Sequence, residues 1–141
     1  MTPCFLAMLT NNLLVLKKTA FWIAFCWTLL IFYLCLKPAT IEKNFEFVNA
    51  DKLIHFTMYF VFVLLWYRFL IYRKSFLLQN KIMLFVVSII VGICIEILQK
   101  YFTKSRHADF FDVLANSLGS IVGILFAIRY FRTKEENLLN K

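Results

Sequence analysis

The sequence predicts an all-α polytopic membrane protein, a four-helix transmembrane bundle. Hydrophobic residues make up 62% of the 141 positions, they fall into four long apolar runs, and the charges gather at the ends of those runs. A water-soluble domain of this size needs far more polar surface. The aromatic share of 18% also exceeds what a small core absorbs, which points to side chains facing lipid. The length allows one compact domain, so function must reside in the helices and their short loops.

The first span is expected from Thr19 to Leu36, after Lys17 and Lys18 and before Lys37-Pro38. Its run of about 18 uncharged residues gives roughly 27 Å of helix, enough to cross a hydrocarbon core. A basic pair before an apolar run also describes a secretory signal, but this run is rich in bulky aromatics and lacks a small-x-small cleavage site, so it reads as a retained helix. Residues 1–16 are moderately apolar and too few to span; within a cytoplasmic segment 1–18 they are expected at the membrane surface. A polar connection leads to a second span at 51–72. The third is expected at 82–101 and the fourth at 110–130, closing a transmembrane domain 19–132. Residues 133–141, of mixed charge, are expected to form a frayed cytoplasmic tail.

Four spans place both termini on one side. That side holds Lys17, Lys18, Arg68, Arg73, Lys74, Lys81, Arg129, Arg132, Lys134 and Lys141; the other holds Lys37, Lys43, Lys52, Lys100, Lys104 and Arg106. Basic residues favour the cytoplasm, so both termini are expected there, in a cell membrane. The net charge of +8 is therefore read as a topology signal. No nucleic-acid partner is expected, because no polar domain displays the basic residues. Cys4, Cys26, Cys35 and Cys94 form no C-x-x-C pair; they read as free, buried thiols, and neither a metal nor a cofactor is expected.

The polar residues inside the spans follow helical spacing. Asp51, His55 and Tyr59 recur every four residues on the second helix, with Lys52 beside them. The third helix carries Glu96 and Gln99. The loop and fourth helix carry Arg106, Asp109, Asp112 and Asn116, then Gly119 and Gly123. His55, Glu96 and Asn116 each fall roughly 6–9 Å below the non-cytoplasmic helix ends. An ionisable group facing lipid costs about 2.5–3.5 kcal/mol at a helix centre, so these groups should turn inward and pair. Glu96 with Arg106 or His55, and Asp112 with Lys52 or Arg106, are the pairs considered. Simpler roles exist for some of them. Asp51 suits a cap of the second helix, and Asp109 with Asp112 resembles a capping box for the fourth. Gly119 and Gly123 form a G-x-x-x-G, and Ser88 with Gly92 a similar small pair, both suited to close helix packing. Four helices are few for a closed pocket, so a homodimer through the Gly119/Gly123 face is considered.

The same blocks resemble the VanZ-like family of small bacterial membrane proteins. The resemblance rests on Asp51-Lys52-x-x-His55-Phe56-x-x-Tyr59, then Glu96-x-x-Gln99, then Arg106 through Asp112 to Asn116 and Gly119. One departure is Phe102-Thr103-Lys104, where proline or glycine is expected before Arg106. The resemblance implies a cell-envelope protein, since the family's namesake is associated with teicoplanin resistance, and it implies no settled mechanism.

Three function classes follow. The first is a protein that binds a lipid head group, a lipid-linked precursor or a lipophilic, glycopeptide-type drug at the outer polar cluster, with membrane lipids as its surroundings. The second is a membrane-embedded enzyme with His55 as general acid/base and Glu96 or Asp112 positioning it, although no G-x-S-x-G, H-E-x-x-H or P-loop occurs. The third, an ion path, ranks last, because the cytoplasmic halves of the spans carry few polar groups.

Overall fold

In the computed structural model, which describes residues 3–37, 50–73, 78–102 and 110–139, helix follows helix. They are α1 (Pro3–Leu36), α2 (Ala50–Tyr72), α3 (Leu78–Phe102) and α4 (Phe110–Leu139). No strand occurs among the described residues. Each helix contains a segment long and apolar enough to cross a membrane: Val15–Leu36, Asp51–Tyr72, Leu78–Phe102 and Phe110–Thr133. Helices are what lipid demands, because a backbone amide in hydrocarbon finds a partner only inside its own helix. The exterior is apolar as well: Trp22, Leu29, Met83, Ile90, Leu125 and Phe126 all project outward. The protein is a multi-pass, four-helix membrane protein.

Two ends differ from the sequence expectation. The segment before the first span is not separate: α1 is continuous from Pro3, and its 34 residues give about 51 Å of helix. Proline suits a first helical turn, where its missing N–H leaves no bond unmade. At the other end, α4 continues to Leu139 instead of fraying after Arg132. Arg132 and Glu136 pair one turn apart at 2.9 Å. Glu135 accepts a 2.6 Å hydrogen bond from the Tyr67 hydroxyl and a 3.1 Å bond from Lys81 Nζ. That clamp ties the last turns of α4 to α2 and α3. Glu135→Ala removes both bonds, and the expected result is a loss of about 1–3 kcal/mol, read as a lower melting temperature in detergent. An unchanged melting temperature would show that the clamp adds nothing.

The core runs along α2, where Tyr59, Phe62, Val63, Tyr67 and Ile71 are buried with Ile31, Ile95 and Ala127 from the other helices. α2 and α3 each pack against all three neighbours, whereas α1 and α4 do not pack on one another among the described residues. Trp27 Nε1 donates to the Met58 carbonyl at 3.1 Å, and Trp66 Nε1 donates to Thr28 Oγ1 at 3.2 Å, fastening α1 to α2. Of the cysteines whose side chains are described, Cys35 is buried as expected, but Cys26 and Cys94 are exposed on the apolar exterior. A thiol is small and apolar enough to face lipid as readily as a core.

The most extensive packing joins α2 to α4, and glycine makes it close. A Cβ on Gly119 would lie 2.2 Å from the Phe56 carbonyl oxygen, and one on Gly123 would lie 3.0 Å from that of Phe60. Phe56 and Phe60 are one turn apart, as are Gly119 and Gly123, so the two helices run in the same direction, backbone against backbone. The G-x-x-x-G thus serves the interior of the chain. Within the chain, α2 occupies that face.

Candidate functional site

The glycine contact fixes a register, and the register builds a site. With Phe56 seated on Gly119, the residues preceding each of them on the inner faces, His55 and Asn116, come opposite one another. His55 Nδ1 donates to Asn116 Oδ1 at 3.1 Å. With the amide oxygen as acceptor, His55 is the Nδ1–H tautomer and Nε2 keeps its lone pair. One turn nearer the helix ends lie Asp51 on α2 and Asp112 on α4. A ring nitrogen of His55 and one carboxylate oxygen from each aspartate lie within 4.8 Å of one another.

Two turns into α2 the Tyr59 ring is fully buried, at 0% exposure. Its hydroxyl reaches the niche left by Gly92 of α3: the position of a Gly92 Cβ is 3.4 Å from Tyr59 Oη and 3.1 Å from Asn116 Nδ2. Neither Tyr59 Oη nor Asn116 Nδ2 has a hydrogen-bond partner among the described residues. Glu96, one turn beyond Gly92 on α3, is 4% exposed and within electrostatic reach of Tyr59. Gln99 is also buried, and its Nε2 donates to the Cys35 carbonyl at 2.9 Å, holding α3 against the end of α1. Ser120, which spacing alone did not single out, is fully buried and donates to the Asn116 carbonyl at 2.8 Å.

The sequence-derived residues therefore divide. His55, Tyr59, Glu96, Gln99, Asp112 and Asn116 are buried at the same end of three helices, and Gly92 opens the space between them. Asp51 is exposed at the edge of this group, and half-buried Lys52 sits with its ammonium 5.7 Å above the Phe111 ring. Arg106 and Asp109 lie outside the described residues, as do the ion pairs expected of Arg106. His55 bonds to Asn116, a partner that the sequence spacing does not name. The three-residue grouping of Asp51, His55 and Asp112 has the composition of a metal-ligand set. Spacing along one helix gives no sign of it, because Asp112 comes from another.

Two apolar clefts lie away from this cluster. One, of about 370 Å³, is lined by Thr28, Phe62, Trp66, Leu84 and Val91 between α1, α2 and α3. The other follows the outer face of α1 past Trp22 and Trp27. Among the described residues their linings are mainly apolar, with one basic side chain each, Arg73 and Lys18.

The family model described as VanZ/LLP1 matches residues 9–132, most of the chain and all of the polar cluster. The chain belongs to the VanZ/LLP1 family. No curated protein and no solved structure matches it. Within this VanZ-like chain, the blocks that carried the resemblance are the ones folded together: Asp51 through Tyr59 on α2, Glu96 and Gln99 on α3, and Asp112 through Gly119 on α4.

Proposed function

We propose that this VanZ-like protein binds the polar head of a membrane lipid, or of a lipid-linked envelope precursor, at the cluster formed by His55, Tyr59, Glu96, Asp112 and Asn116. The observation that carries this reading is the burial of two carboxylates, an imidazole and an amide at the same end of three membrane-spanning helices. Groups of this kind are costly at membrane depth and tend to mark binding or transport routes. Six basic residues on the cluster's side, against ten on the other, support an outward-facing cluster with both termini cytoplasmic in a cell membrane. A lipophilic glycopeptide offers the same combination of polar head and acyl tail, so protection against such an antibiotic is a second consequence of the same site.

Native mass spectrometry of the purified protein tests the reading. Phospholipids, an undecaprenyl-linked precursor and a lipoglycopeptide serve as probes. Wild-type protein is expected to retain at least one of these classes, with tenfold or greater loss in Asp112→Asn at unchanged melting temperature. Equal retention of every probe by wild type and variant would sink it.

A catalytic alternative is favoured by one observation. The Nδ1 of His55 is held by Asn116, and its ring lies among the carboxylates of Asp51 and Asp112. An oriented imidazole of this kind can relay a proton to or from a lipid-linked substrate. Turnover by His55→Ala at the wild-type rate would remove His55 from that role.

A further inference from the structure

We propose that Asp51, His55 and Asp112 form a binding site for a divalent first-row metal ion, with Asn116 as the group that orients the histidine. This goes beyond the head-group reading and stands without it.

The geometry comes first. Around an ion with bonds of about 2.0–2.2 Å, neighbouring ligand atoms sit about 3–4.4 Å apart. A ring nitrogen of His55 and one carboxylate oxygen from each aspartate already lie within 4.8 Å of one another, near the spacing that a shared ion needs. They come from two helices whose register is locked by backbone contact at Gly119 and Gly123, which makes the site rigid before an ion arrives.

The histidine is set up in the required form. Its Nδ1–H is committed to Asn116 Oδ1 at 3.1 Å, leaving Nε2 as the lone-pair donor. Metal-bound histidines are oriented in this way by a hydrogen bond on the other ring nitrogen. Asn116 supplies what a carboxylate or carbonyl supplies elsewhere.

A separate observation points to a ligand beside the ion. Tyr59 Oη and Asn116 Nδ2, in side chains 0% and 1% exposed, lack hydrogen-bond partners among the described residues and meet at the Gly92 niche. Buried donors are rarely left unmade. Three protein ligands leave coordination positions open to a water or anionic oxygen, and Asn116, which carries one of these two donors, contacts His55 directly. An imidazole and two carboxylates suit manganese or zinc, with zinc the tighter of the two.

The test uses Mn2+ as the probe on chelator-treated, full-length protein in detergent. Calorimetry is expected to find one ion per chain at micromolar affinity, displaced by Zn2+. Asp112→Asn and His55→Gln are each expected to weaken binding at least tenfold, while Arg132→Ala, far along α4 from the site, leaves it within threefold. Pulsed electron paramagnetic resonance of the wild-type Mn2+ complex requires no variant, and is expected to show coupling to an imidazole nitrogen. Absence of binding by wild type at 1 mM Mn2+ would overturn the proposal. So would bound Mn2+ without nitrogen coupling, or affinity unchanged in both folded variants.

Discussion

Replacing Gly119 by alanine is expected to cost more folded protein than the same change at Gly92 or Gly123. The added Cβ would sit 2.2 Å from the Phe56 carbonyl oxygen and 3.0 Å from its carbon. Backbone cannot rotate away as a side chain can, so α2 and α4 must separate. Overpacking of this kind costs about 1–3 kcal/mol, and more where backbone resists. Against a total stability of about 5–15 kcal/mol, that is a large share. The consequence also reaches the site, because the same contact sets His55 opposite Asn116. Gly119→Ala is expected to lower both membrane abundance and melting temperature sharply. Gly123→Ala, whose Cβ would meet Phe60 oxygen at 3.0 Å and Val63 Cβ at 3.2 Å, should fall between it and wild type. Equal, near-native melting of both variants would show that the α2–α4 contact is looser than described.

Asn116→Leu is expected to produce the second large effect, in function more than in stability. The substitution removes the acceptor for His55 and the Nδ2 donor at the Gly92 niche. As structural glue, a single hydrogen bond between membrane helices is worth about 0.6 kcal/mol on average and about 1.7 at most. A double-mutant cycle with His55→Ala should therefore return a coupling of that size for folding. Head-group retention should fall at least tenfold, about 1.4 kcal/mol in binding, because the imidazole loses its orientation and the niche loses a donor. If retention instead falls only as far as the folded fraction falls, the pair is structural.

The legible part of this protein was set by periodicity and depth. Apolar runs of membrane length fixed the number of helices, and spacings of three and four placed Asp51, His55 and Tyr59 on one face of α2. Counting residues from the helix ends brought His55, Glu96 and Asn116 to the same depth; all three are buried, and His55 meets Asn116 at 3.1 Å. What could not be read was partnership between helices. His55 chose an amide on α4, and no pattern within α2 specifies that. The Gly119/Gly123 pair announces close approach but not its partner, so packing within the chain and dimerisation looked alike. The Tyr67–Glu135–Lys81 clamp joins residues far apart in sequence, and a charged segment after a span looks the same whether it frays or docks. Asp51 and Asp112 each read well as helix caps; only the α2–α4 register shows both carboxylates meeting one imidazole.

The measurement that bears most directly on the cluster is a substitution scan at His55, Glu96, Gln99, Arg106, Asp112 and Asn116. Its two readouts are membrane abundance and cell survival on envelope-targeting antibiotics. Variants that stay abundant yet lose protection are the predicted result, and they would locate a working site among these residues. Variants that lose protection only in proportion to their abundance would contradict it, leaving the cluster as packing between helices.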